Sequence, residues 1–154
     1  MKNNFWIFLL IYYLFFGNLF AEEFRFETSE IKILENGNLI VAKNGKAISS
    51  DNQIEVEASN FEYNNDLNFL KAFDGTAFIK NENIKIKFEK IEIDQKNLII
   101  KSGNNTEVFD IGKKLILKTD SINYDRANKI LLSKKRSILT DQFKNMMDME
   151  NFDY

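Results

Sequence analysis

The side chains able to do chemistry in this sequence are almost all charged, and they are scattered. There are 21 Lys and Arg and 23 Asp and Glu, with no His and no Cys. Without His or Cys the chain builds no zinc, haem or thiol site. Its carboxylates leave a hard-cation site open in principle, but no clustering supports one, so no metal and no cofactor is expected. The acids recur singly, and no pair has the spacing that a glycoside hydrolase needs. No catalytic residue is therefore assigned. The cations are spread in the same way, which argues against a nucleic-acid groove. The exception is Lys134, Lys135 and Arg136 in "SKKRSIL". Three adjacent cations can meet a phosphate or another acidic group, and otherwise they form a solvated loop. The chemistry left to this chain is the binding of apolar matter, for which 15 Phe, 5 Tyr and many Ile supply the surface.

The elements that position these residues begin after a distinct leader. Lys2 is followed by the unbroken apolar run Phe5–Phe16, "FWIFLLIYYLFF", then Gly17, Asn18 and a small Ala21. That order fits a cleaved secretory signal peptide over residues 1–21. The run is 12 residues long, short of the roughly 20 that cross a bilayer as a helix. A retained inner-membrane anchor is the alternative, kept open by Leu19 where a smaller residue is commoner. Lys2 is the one charge in this segment, so its removal takes the net charge from −2 to −3. The absence of Cys means that no disulfide staples the fold.

Residues 22–154 carry a repeat of about thirty residues, centred on Ile31, Phe61, Ile91 and Ile122 at separations of 30, 30 and 31. Small residues keep the same interval at Ala42, Ala72, Ser102 and Ser133. Glycines follow in the first two copies, as Asn44-Gly45 and Asp74-Gly75, pairs that favour tight turns. In the third copy the related position is Asn105 and in the fourth Arg136, where the turn signal is lost.

Within each copy apolar and polar residues alternate, as in Ile54, Val56 and Ala58 against Glu55 and Glu57. Period two argues half-buried strands. The alternation slips by one at a fixed place, between Ala58 and Phe61, Phe88 and Ile91, and Thr119 and Ile122. A strand that keeps one face buried cannot skip a phase without a bulge or corner. The expected fold is all-β, with one corner per unit. It is either a β-solenoid or an antiparallel β-jellyroll, a trough-like wound sheet. The expected inner wall is Ile31, Ile33, Ile54, Val56, Phe61, Tyr63, Phe69, Phe78, Ile84, Ile86, Phe88, Ile91, Ile93, Ile122 and Tyr124.

The units of Ala58, Phe61, Tyr63, Leu70, Ala72, Gly75, Ala77 and Ile79, echoed at Ala42, Gly45, Ala47 and Ile48 and again at Ile122, Tyr124 and Asp125, resemble the OstA-like domain of lipopolysaccharide transport. That family includes the periplasmic bridge protein LptA and the N-terminal domain of LptD. The resemblance spans nearly all of residues 22–154, on motifs that are short. It implies an antiparallel jellyroll in the periplasm, exported by the leader and in some members associated with the outer membrane. It implies a groove that shields the acyl chains of lipid A, and strand-to-strand stacking on other transport subunits. The Lys134–Arg136 cluster would meet lipid A phosphates. The competing class is a structural or adhesive β-solenoid that binds no lipid. In the third copy Val108 and Phe109 break the small-apolar alternation, which leaves the strand register there open.

Phe152 lies 30 residues after Ile122, and Tyr154 falls where Tyr63 and Tyr124 stand in their copies. "MENFDY" thus reads as the front of an incomplete fifth repeat. The favoured reading is a fragment of a longer protein, in which an LptD-type outer-membrane barrel would follow; the other is a final strand with an open edge.

Overall fold

Period-two alternation becomes seven long strands, each 11 or 12 residues. They are β1 (Phe24–Leu34), β2 (Leu39–Ser49), β3 (Ile54–Asn64), β4 (Phe69–Ile79), β5 (Ile84–Asp94), β6 (Ile99–Asp110) and β7 (Leu115–Asp125). Four short strands follow: β8 (Ile130–Ser133), β9 (Ser137–Thr140), β10 (Met146–Met149) and β11 (Phe152–Asp153). The structure is a computed structural model that describes residues 24–154, so the signal-peptide reading of residues 1–21 lies outside the described residues. From β1 to β7 each strand pairs antiparallel with the next, and β8 and β11 continue the order. β9 pairs with β7 and β10. Strand neighbours in sequence order, all antiparallel, select the trough over the solenoid.

One thirty-residue repeat is one pair of long strands. The repeat's large and small residues form a single ladder column: Ile31, Ala42, Phe61, Ala72, Ile91, Ser102 and Ile122 are successive partners. Directly opposed residues share a face, so large and small side chains alternate across this inner column. The next inner column runs Ile33, Ile40, Tyr63, Leu70, Ile93, Ile100, Tyr124 and Leu131.

The phase slip is a physical corner. The ladder partners jump from Gly45–Ala58 to Lys43–Asn60, and from Ala58–Gly75 to Asn60–Phe73. Asn44 and Asp74 there adopt φ of 49° and 54°. The Asn-Gly and Asp-Gly pairs are therefore mid-strand corners, not hairpin turns. Their glycines have a different reason. A Cβ on Gly45 would stand 2.1 Å from the carbonyl oxygen of Glu27, and one on Gly75 2.1 Å from that of Glu57. The hairpins after β3, β5, β6 and β7 start on Asx residues whose carboxylate or amide oxygen accepts from the backbone three residues on. Asn64, Asp94, Asp110 and Asp125 accept in this way at 2.9, 2.9, 2.7 and 3.0 Å.

The corner divides the sheet into two leaves. The first holds residues 24–28, 45–49, 54–58, 75–79, 84–88, 106–110, 115–119, 137–140 and 146–149, and the second holds the other half of each strand. They fold face to face. Phe24 in the first leaf of β1 meets Tyr63 in the second leaf of β3, ring centroids 5.7 Å apart, and Phe26 meets Phe61 at 5.8 Å. The leaves are thus staggered by two strands, as twist requires of a sheet folded on itself. The stagger uncovers the second leaf at β1 and the first leaf at β10.

Candidate functional site

The site is the interior between the leaves, together with its mouth along the hairpin tips. Ile54, Val56, Phe61, Tyr63, Ile84, Ile86, Phe88, Ile91, Ile93, Ile122 and Tyr124 all lie buried on the inner face. Phe24, Ala47, Ala77, Ile79, Leu70, Ile100, Val108, Leu117, Leu131 and Phe152 join them; most of these sit in the same ladder columns.

Two expectations are corrected. Phe78 pairs with Glu55 and Lys85, and Phe69 with Asn64 and Asp94. Both therefore face outward, because Ala77 and Ile79, and Leu70, already hold the inner face beside them. Ile31 and Ile33 are on the inner columns but are 52% and 65% exposed. Among the described residues the stagger places no first-leaf strand over them. Val108 points in and Phe109, paired with Lys85 and Ile116, points out. The open register in β6 is a bulge, with shifts around Gly103 and Thr106 and positive φ at Asn104 and Asn105.

The basic cluster does not face the interior. Lys134, Lys135 and Arg136 lie at the corner between the short strands β8 and β9, both of which pair with β7, and are exposed. They stand on the spine, opposite the mouth. Arg136 is committed to Asp148, Nη2 to Oδ2 at 2.5 Å and Nε to Oδ1 at 3.1 Å, which holds the Asp148 carboxyl below its ordinary range.

Most of the interior is filled by its own side chains. A narrow apolar crevice of about 20 Å³, little more than the room for one water molecule, remains toward the β10–β11 end between the leaves. Ile84, Val108, Leu115, Leu117 and Leu139 line it from the first leaf, and Leu131, Phe152 and Tyr154 from the second. The wall is not wholly apolar. Around this end of the corner run buried hydroxyls, with Ser102 bonded to Thr106 at 2.7 Å and Thr119 to Ser133 at 2.7 Å and to Ser137 at 3.1 Å.

The mouth is bridged by tyrosines of the second inner column. The Tyr124 hydroxyl donates to the Glu82 carboxylate across the slit. Burial, and then this bond, hold the Tyr124 phenol well above its ordinary range. The Tyr154 hydroxyl donates to Asp110 Oδ2 at 2.9 Å, with Lys113 Nζ 4.1 Å from its ring centroid. Inside the same lip, Arg126 Nη1 donates to Gln95 Oε1 at 3.1 Å. Sequence reasoning missed Glu82, Asp110, Gln95 and Arg126. Gln95 and Arg126 had a signal, since they follow Asp94 and Asp125 at one repeat interval. Glu82 and Asp110 had none: their partners lie 42 and 44 residues on, which is no multiple of the repeat.

Among the described residues no group of three or more carboxylates could hold a metal ion. No family model and no curated protein matches the sequence. Solved structures do match in shape. One is LptH, described as the LptA homologous periplasmic component of the conserved lipopolysaccharide transport device from Pseudomonas aeruginosa. It superposes with a TM-score of 0.63 at 10% identity, over 83% of this chain and 94% of LptH. The fold is that of the LptA-type trough.

Proposed function

We propose that this chain is a periplasmic lipopolysaccharide-binding component of a transport bridge, with the acyl chains of the glycolipid held between the leaves. The observation that carries this reading is a pair of facing apolar columns, the second-leaf column from Ile33 to Leu131 and the first-leaf column from Phe26 through Val56, Ile86 and Leu117 to Met147, within a fold shared with a lipopolysaccharide transport component. An acyl chain crossing an aqueous compartment needs unbroken apolar cover, because each exposed methylene costs about 0.8 kcal/mol. The columns supply such cover along the whole sheet axis. The crevice lined by Leu139 and Phe152 marks where the packing between the leaves is loosest, and there as elsewhere the leaves must part to admit a chain.

The bridge reading draws on the two ends. Among the described residues β1 pairs on one side alone, with β2, and carries the uncovered Ile31 and Ile33. At the other end Met147, on the inner column of Leu117 and Leu139, is 58% exposed. A strand edge with an uncovered apolar ledge recruits another strand, here that of a further transport subunit.

Photocrosslinking with purified lipopolysaccharide tests the groove. Benzoylphenylalanine at Leu139 or Phe88 is expected to give lipopolysaccharide adducts, and at the outward Phe78 or Phe109 none. Equal labelling of inner and outer positions, or no adduct from the inner ones, would sink the reading.

A further inference from the structure

Two donors inside the second-leaf lip lack an acceptor. Gln95 Nε2 and Arg126 Nε are buried and make no hydrogen bond among the described residues, although the two side chains are bonded to each other through Gln95 Oε1. Gln95 is 4% exposed. Buried donors are nearly always paired, and one that is not calls for a reason. The ion pairs among the described residues do not include Arg126, so its charge is held at the lip without a carboxylate against it. Gln95 stands two residues beyond Ile93 and Arg126 two beyond Tyr124, so both continue the inner column to its rim. There the apolar interior ends and the slit closed by Tyr124 and Glu82 begins.

We propose that Gln95 and Arg126 form a phosphate-binding site at the rim, covered by the Tyr124–Glu82 bond and uncovered when the lips part. This rests on the reading of the interior as a lipid groove, and it names the contact for the polar end of the lipid. The two free N–H groups sit on adjacent side chains, which suits a group with several acceptor oxygens. A guanidinium presents its donors in a planar fork that matches phosphate. The rim is also where an amphiphile with its chain between the leaves places its head group. The spine cluster at Lys134–Arg136 is on the wrong side for that. Glu82 opposes an anion in the closed state, so entry of a phosphate weakens the cover that hides the site.

Calorimetric titration with dodecyl phosphate, dodecyl maltoside and inorganic phosphate tests this. The wild-type chain is expected to bind dodecyl phosphate about tenfold more tightly than the maltoside, the contribution of one hydrogen bond to a charged group. Arg126→Gln abolishes the difference and leaves maltoside binding unchanged. Arg126→Lys keeps part of it, and Gln95→Leu reduces it should Arg126→Gln not fold. A Lys134→Gln/Lys135→Gln chain retains all of it. Preference surviving in both Arg126→Gln and Gln95→Leu, or lost with the lysines, overturns the proposal. Equal binding of the two amphiphiles by the wild type overturns it too, while leaving the groove reading intact. Inorganic phosphate binding that needs Arg126, with neither amphiphile bound, keeps the site as a free-anion site and removes the groove. If nothing binds, both fall.

Discussion

The corner is built in two ways at the two ends of the molecule. At β2 and β4 it is made by absence. Gly45 and Gly75 let the backbone of the preceding strand come so near that a Cβ would lie 2.1 Å from a carbonyl oxygen. At β6 to β9 it is made by polar bonds. β6 bulges through Asn104 and Asn105, Gly103 has open space around its Cβ position, and Thr106, Thr119 and Ser137 take over the column that Gly45, Ala58 and Gly75 occupy earlier. The glycine corner brings the leaves together over Phe61 and Tyr63, where the interior is full. The hydroxyl corner lies at the end that holds the crevice. A corner closed by backbone contact is rigid, whereas one held by hydrogen bonds between side chains can shift by exchanging partners. The difference predicts a closed half and an adjustable half.

The comparison breaks most easily at its glycines. Gly75→Ala forces backbone against backbone and is expected to cost about 3 kcal/mol, the upper end for overpacking. Gly103→Ala, with nothing within 4 Å, is expected to stay within about 0.5 kcal/mol of the parent. Urea denaturation reads both, as a shift of midpoint at constant slope. Similar losses for the two variants would show that the corner is uniform and the contrast misdrawn.

A smaller effect sharpens the other side. Ser102 and Thr106 are both buried and bonded to each other at 2.7 Å. Thr106→Val strands the Ser102 hydroxyl and is expected to cost about 1–2 kcal/mol, whereas adding Ser102→Ala returns stability to within about 0.5 kcal/mol. Strict additivity of the two substitutions would mean that the hydroxyls do not hold this corner together.

Much of this was legible in the sequence. The thirty-residue interval is the ladder column itself, because a pair of strands with fixed turns brings every thirtieth residue to the same height. The phase slip located the corner for the same reason. What failed needed three dimensions. Asn-Gly and Asp-Gly look like hairpin turns, but the glycine answers a close approach from another strand, which no local pattern reveals. The hairpins after β5, β6 and β7 end on left-handed Leu98, Lys114 and Lys129, residues that advertise no turn. Hydrophobicity alone points Phe78 inward, but Ala77 and Ile79 on either side of it hold that face. The exposure of Ile31 and Ile33 follows from the stagger of the leaves, and the mouth contacts of Glu82 and Asp110 follow from it as well.

The smallest expected effect compares the two regions through their surface charges. In the glycine half, Glu55 accepts from Lys46 at 2.7 Å and lies 3.2 Å from Lys80, so one carboxylate ties β2, β3 and the turn after β4. In the other half, Asp148 ties β10 to the corner through Arg136 alone. Both carboxyls are held below their ordinary range, Glu55 by its bonds to Lys46 and then Lys80, and Asp148 by its bond to Arg136. A carboxyl depressed in the folded state binds fewer protons there than in the unfolded chain. Its contribution is therefore complete above the ordinary carboxylate range and is lost as pH falls through the depressed value. The Glu55 side chain is 25% exposed and that of Asp148 52%, so water and salt screen the second pair more. Glu55→Gln should thus flatten the acid limb of the stability–pH curve more than Asp148→Asn, and in 1 M NaCl the Asp148 effect should vanish first. An equal or larger effect at Asp148 would mean that the hydroxyl half is locked as firmly as the glycine half, and the crevice would then lie in a rigid part of the sheet.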